Sequence, residues 1–278
     1  ILWLKTIKPE IFAKTSKFLT LSEYITCKFT DDYIISKSIA STTGMFNIHT
    51  LDWDDDILEI IGISKDSLSP TCNITHQVKI KPEICTELGL EIGTKLIIGA
   101  GDGLMSHIGS GCISNNIMSS TIGTSSAIRI ISDEPILSAQ SNWCYYFMDN
   151  YIAGYAINAG WNTIHWFIDN FTKNNHAEIL QNFYQNFTVT RNTDLIFLPF
   201  INGERGPGYN QNMFASFIGL HSKDNFHTML NAVMEGIIYN LYSCYEMLES
   251  FYDQNMKIYA SGGYINSDFL LQMQSDVF

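Results

Sequence analysis

Apolar positions recur at mixed three- and four-residue spacings through Trp3, Ile7, Ile11, Phe12, Phe18, Leu21, Tyr24 and Ile25. The spacing predicts helix over residues 3–29, with Pro9 near one helix start. Residues 36–46 are small and polar, and Gly44 marks a turn. The acidic run 54–56 suits a helix N-terminus; that helix carries Ile57, Leu58, Ile60 and Ile61 and ends at Gly62. Residues 95–99 are a short apolar run that reads as a buried strand, followed by Ala100-Gly101-Asp102-Gly103 and a helical segment over 104–108. Segments 118–122 and 127–131 flank Gly123-Thr124-Ser125-Ser126 as strand, turn and strand. Strand 151–157 leads through Asn158-Ala159-Gly160 into a helix bearing Ile164, Trp166, Phe167 and Phe171. Residues 195–198 form a strand stopped by Pro199, and 226–251 form a helix with one apolar face. Strand 257–260 precedes Ser261-Gly262-Gly263 and a helix whose N-cap is Ser267.

Strands alternating with helices give an α/β class. Three predicted strands run directly into glycine turns, at Gly99, Gly123 and Gly262. In open α/β sheets ligands lie outside the carboxyl ends of strands, so the three turns predict one composite nucleotide site.

Length, charge and cysteines narrow the class. The 278 residues suffice for one large or two medium domains. A net charge of -12 argues against a nucleic-acid binder, which needs a basic stripe. It leaves room for an anionic small ligand held by backbone dipoles. Six cysteines at wide, irregular spacings form no CxxC, so reduced thiols in a cytoplasmic protein are expected, with neither zinc nor disulfides. No apolar stretch reaches the ~18 residues of a membrane span. The chain starts at Ile1 and stops inside an amphipathic pattern (Phe269, Leu270, Met273, Val277), so both ends read as cut.

Three turns could carry chemistry. At 99–103 glycines flank Asp102, leaving a carboxylate open to a hydroxyl whose proton it could accept; a plain Asp-Gly turn explains the same letters. At 121–126 consecutive small residues could aim N–H and hydroxyl groups at a phosphate, or form a simple hairpin. Gly262-Gly263 would let a base or ribose lie against the backbone, or serve a tight strand-to-helix connection. There is no Walker P-loop and no GxGxxG after a strand. His49, His107 and His165 lack metal-ligand spacing and read as surface or core residues, and Trp143, Tyr145, Tyr146 and Phe147 read as core. In the loop 202–207, a Glu204–Arg205 pair is expected to act as a brace.

Taken in order, these segments resemble the FGGY carbohydrate kinases, over nearly the whole chain. Ser38-Ile39-Ala40-Ser41-Thr42-Thr43-Gly44-Met45-Phe46-Asn47 with Leu51-Asp52-Trp53-Asp54 resembles the family's "SxASxTGLFN…LxWD" stretch. Gly99 to Gly103 is similar to its "GxGD" segment, and Gly123-Thr124-Ser125 to its "GTS" turn. Asn158-Ala159-Gly160 to Trp166 resembles "NNGG…W", with Trp161 at the second glycine's place. Leu198-Pro199-Phe200 through Glu204-Arg205 to Phe217-Ile218-Gly219-Leu220 resembles "LPYLxGER…FxGL", and Ser261-Gly262-Gly263 through Gln272 and Asp276-Val277 resembles the adenosine motif. The family's "DxGTT" and "GAA" motifs have no counterpart in this sequence.

The resemblance implies an actin-like ATPase (ribonuclease H-like) fold of two lobes with a cleft: residues 1–112 the rest of the sugar-binding lobe, 113–278 a truncated nucleotide-binding lobe. It implies Asp102 as general base, Gly123 and Thr124 on the transferring phosphate, and Gly160, Gly262, Gly263 and Ser267 around the adenosine. ATP with Mg²⁺ would be the cosubstrate and a sugar or sugar acid the acceptor, with a homodimer left open and no metal held by the protein itself. The wording is most like gluconokinases, which implies phosphorylation of D-gluconate to 6-phosphogluconate. A xylulokinase-type pentulose kinase and a non-catalytic actin-fold sugar-binding relative are the alternatives. An α/β-hydrolase is disfavoured, because no GxSxG occurs.

Overall fold

The computed structural model describes residues 1–138, 143–173, 175, 177–181, 194–252 and 256–278. The chain divides into two compact units. The first contains Ile1–Met105, Asp133–Pro135 and Cys144–Ile152; the second contains Ser106–Ser132, Ile136–Trp143 and Ala153–Phe278.

In the first unit, the predicted helix over 3–29 is three helices, Leu2–Ile7, Pro9–Lys14 and Leu21–Thr30. Pro9 begins the second helix, since its missing N–H is lost without cost there. The third starts at a capping box. The Thr20 N–H donates to Glu23 Oε2 at 2.7 Å, and the Glu23 N–H donates to Thr20 Oγ1 at 3.4 Å. Helix Asp55–Ile61 follows its acidic signal: the Asp54 side chain accepts from the Ile57 N–H, and Gly62 closes the helix in the left-handed region at φ 79°. The core here is Ile35, Ala40, Trp53, Leu58 and Leu68, with Phe18 and Phe46 packed against it. Trp53 is buried with its indole N–H donating to the Ser69 carbonyl at 2.9 Å, so its one polar atom is satisfied.

One predicted strand is not buried. Residues 95–97 pair antiparallel with Gln77–Lys79 in a two-stranded sheet, and Ile97 is 61% exposed. A lone pair of strands covers no core, so an apolar run is no guarantee of burial. The three glycine turns divide between two sheets. The strand before Gly99 belongs to this small sheet, while the strands before Gly123 and Gly262 belong to another sheet and neighbour each other there.

That larger sheet has the strand order Lys257–Ser261, Ile117–Ile122, Ser126–Ser132, Asn150–Ile157 and Trp143–Phe147. The first two strands are parallel, with Ser261 opposite Thr121. The second and third are antiparallel, with Ile122 opposite Ser126, so residues 123–125 form the tight turn that the sequence predicts.

Helix Phe226–Glu246 is the hub of the second unit. It packs on strands Ser126–Ser132 and Ile196–Leu198 and on helices Trp161–Phe171 and Asp268–Val277. Its predicted single apolar face is a buried belt running most of the way round: five consecutive residues, Leu230 to Met234, are buried. A helix with neighbours on several sides buries more than a stripe. Each fully buried Leu, Ile or Val contributes about 1.5–3 kcal/mol. The helix ends at Glu246, short of the predicted 251, and a separate 3-10 turn, Glu249–Phe251, follows. Its N-terminus is capped by Asn225, whose side chain accepts from the His227 and Thr228 N–H groups.

Candidate active site

Five of the seven predicted site residues meet in the second unit. Strands Lys257–Ser261 and Ile117–Ile122 run side by side in the same direction, so the turns that follow them, Gly262-Gly263 and Gly123-Thr124, leave the sheet together. Below the strand ends, Thr121 Oγ1 and Ser261 Oγ share a hydrogen bond of 2.8 Å. The Gly123 N–H closes its turn on the Ser125 carbonyl at 3.0 Å, and Thr124 is exposed.

This turn also caps a helix. The Trp161 N–H donates to the Gly123 carbonyl at 2.9 Å, and the Asn162 N–H donates to the Thr124 carbonyl at 3.3 Å. These are two of the N–H groups that a helix start leaves without partners. Gly160 makes the close approach feasible, because a Cβ there would stand 2.5 Å from the Gly123 carbonyl oxygen. Gly262 has φ +101°, and a Cβ on it would stand 2.5 Å from the Ile122 carbonyl oxygen. A Cβ on Gly263 would stand 3.3 Å from the Trp161 indole nitrogen, so Trp161 lies against the glycine pair. Its ring also tilts over His165, with centroids 6.0 Å apart.

Ser267 is the sixth. It caps helix Asp268–Val277 as predicted, its Oγ accepting from the Leu270 N–H at 3.3 Å, and it is only 7% exposed. Its hydroxyl therefore serves the helix first.

Asp102, the seventh, lies in the first unit, in the first turn of helix Asp102–Gly109. It is exposed, and its Oδ1 accepts from the Gly103 N–H at 2.6 Å. A negative side chain is favourable at that end of a helix. Gly99 adopts φ +74°, and a Cβ on Gly99 or Gly101 would meet no atom within 4 Å. Both glycines border open space, as the exposed carboxylate does.

Residues outside the predicted set also matter. His107 is fully buried with its Nδ1 2.7 Å from Ser119 Oγ, which fits the core reading. Burial first, then the nearby Arg129 charge, push its pKa down to about 4, so the ring is neutral at physiological pH. The loop at 202–207 is braced differently than expected. The Glu204 carboxylate accepts from the Asn210 N–H at 3.4 Å and the Glu204 N–H donates to the Asn210 carbonyl at 3.0 Å, while no Glu204–Arg205 ion pair occurs among the described residues. The hydroxyl run Ser119-Ser120-Thr121 in a buried strand was the one sequence signal of a polar network beneath the turns. The six cysteines are free. Among the described residues no group of three His, Cys, Asp or Glu side chains is placed to hold a metal ion, and no helix is long and apolar enough to cross a membrane.

Comparison with known proteins bears on this arrangement. Residues 1–109 match the N-terminal domain of the FGGY family of carbohydrate kinases, and residues 118–278 match its C-terminal domain. Gluconokinase of Bacillus subtilis (strain 168) is 35% identical over 295 aligned residues, covering 100% of this chain and 57% of its own length. Xylulose kinase of the same organism is 29% identical, covering 100% of this chain and 56% of its own. The chain thus spans somewhat over half the length of these relatives. Among solved structures, a gluconate kinase from Lactobacillus acidophilus superposes with a TM-score of 0.91 at 34% identity, over 99% of this chain and 56% of that one. A xylulose kinase from the same species gives 0.89 at 34% identity, over 99% and 56%. The fold is the two-domain actin-like ATPase fold of these sugar kinases. On its sequence matches and its fold together, the chain belongs to the FGGY family of carbohydrate kinases.

Proposed function

We propose that the whole protein is an ATP-dependent kinase that phosphorylates D-gluconate to 6-phosphogluconate. The observation that carries this reading is the convergence of Gly123, Thr124, Gly160, Gly262 and Gly263 at the ends of two adjacent parallel strands. Open backbone there suits a nucleotide, whose phosphates take N–H and hydroxyl donors and whose ribose needs a wall without side chains. Residues 113–278 serve the nucleotide and residues 1–112 the sugar, a division supported by the family matches at 118–278 and 1–109.

In this reading Gly123 and Thr124 hold the γ-phosphate, while Gly160, Gly262, Gly263 and, at its edge, Ser267 border the adenosine. Asp102 accepts the proton of the acceptor hydroxyl as its oxygen attacks the γ-phosphorus. The bond to the β-phosphate bridging oxygen breaks, and ADP and the sugar phosphate leave. Bound with the nucleotide, Mg²⁺ would supply positive charge to offset that of the phosphates. Such an ion keeps several waters and asks the protein for one or two carboxylates at most. The cytoplasm, where ATP is abundant, is the proposed location.

Gluconate is favoured over xylulose by the higher identity to a gluconokinase, 35% against 29%. A pentulose kinase is the second reading, favoured by the xylulose kinase structure at 34% identity. The test is phosphate transfer from ATP by the whole protein to gluconate, xylulose, glycerol and fuculose. We expect kcat/KM for gluconate to exceed that for the others by about 10²-fold. Preference for xylulose would give the pentulose reading, and transfer to none would leave the non-catalytic one.

A further inference from the structure

We propose that Gln274 is a positioning residue of the nucleotide site, an inference that rests on the reading above. Gln274 sits on helix Asp268–Val277 and is 5% exposed. Its Nε2 donates to Ser120 Oγ at 2.6 Å, and its Oε1 accepts from the Tyr264 hydroxyl. Ser120 and Tyr264 are fully buried.

Each partner belongs to an element next to or starting at a site residue. Ser120 lies on strand Ile117–Ile122, three residues before Gly123. Tyr264 lies in the 3-10 turn Gly263–Asn266, next to Gly263. Gln274's own helix begins at the Ser267 cap. One amide therefore ties together, from behind, the phosphate turn, the glycine pair and the capped helix. Burial makes the geometry stringent: the donor end of the amide meets the Ser120 hydroxyl and its acceptor end meets the Tyr264 hydroxyl, and a buried polar group left unpaired is costly. An apolar side chain of the same shape fills the volume and fixes none of those angles.

The test separates positioning from packing. Gln274→Met alone leaves two buried hydroxyls without their partner and is expected to destabilise the protein. The triple variant Gln274→Met, Ser120→Ala, Tyr264→Phe removes the whole network and its unpaired groups. We expect its melting temperature to lie within about 3 °C of the unmodified protein. Its Kd for ADP should rise about tenfold, with KM for the sugar unchanged and kcat at saturating ATP lowered less than threefold, on the order of what two hydrogen bonds direct. Tyr264→Phe alone, which deletes one hydroxyl, should raise the Kd about threefold. If the triple variant does not fold, Tyr264→Phe decides. ADP affinity within about 1.5-fold of the unmodified protein, in whichever variant decides, overturns the proposal. So does a rise in sugar KM that matches the change in ADP affinity. An unmodified protein that binds no ADP would instead refute the functional reading beneath it.

Discussion

Replacing Asp102 with Asn is expected to lower kcat for phosphate transfer about 10³-fold while the fold is retained. The side chain is exposed, and its Oδ1 accepts from the Gly103 N–H at 2.6 Å, a bond that an asparagine oxygen accepts equally well. What is lost structurally is one favourable charge at a helix start, worth about 0.3–1 kcal/mol. What is lost chemically, on the proposed role, is the proton acceptor. An interaction needed only in the transition state lowers kcat and kcat/KM together, so sugar KM and ADP affinity should stay within about twofold. Steady-state kinetics with thermal melts of the same preparations checks this. A variant that retains its turnover removes Asp102 from the role of base.

Gly160→Ala is expected to damage both stability and nucleotide binding. Its backbone is extended, at φ 176°, so the constraint is not a left-handed conformation. It is room: the added methyl would stand 2.5 Å from the Gly123 oxygen, 2.8 Å from the Thr124 oxygen and 3.0 Å from the Thr124 carbonyl carbon. These are backbone atoms that cannot rotate aside. Moving them breaks the bonds from the Trp161 and Asn162 N–H groups and displaces the Gly123-Thr124 turn. We expect about 3 kcal/mol of destabilisation and ADP binding weakened at least tenfold, beyond what the lost stability explains. Gly101→Ala is the control, since a methyl there meets nothing within 4 Å; its stability should change by about 0.5 kcal/mol or less. Melting curves and titration calorimetry read both. Equal effects of the two substitutions would deny the Gly160 contact its role.

Local chemistry made much of this molecule legible in its sequence. Asp54 and Gly62 announced both ends of one helix, Ser267 the start of another, and Gly123-Thr124-Ser125-Ser126 a hairpin turn, because caps and turns act within a few residues. The glycines at 262 and 263 were legible as permissive backbone, and Gly160 was reached only through the family resemblance. What each of them makes room for was not, because the neighbouring carbonyls come from strands and turns tens of residues away. The same limit explains the misjudged burial. The apolar residues at 96–97 and 232–234 look alike in kind, yet one pair lies in an isolated strand pair and the other group at a hub between strands and helices. Periodicity reports contrast between faces, not how many neighbours a segment will have. It is silent too on Gln274, a polar residue in an amphipathic pattern whose partners lie 10 and 154 residues away.

The central claim is that the paired turns at Gly123-Thr124 and Gly262-Gly263 receive ATP. A crystal structure of the whole protein with a non-hydrolysable ATP analogue tests it most directly. The account predicts the terminal phosphate about 3 Å from donors of the Gly123-Thr124 turn, with the ribose against Gly262 and Gly263. A nucleotide bound with its phosphates away from that turn, or with a side chain between it and the glycine pair, would contradict it.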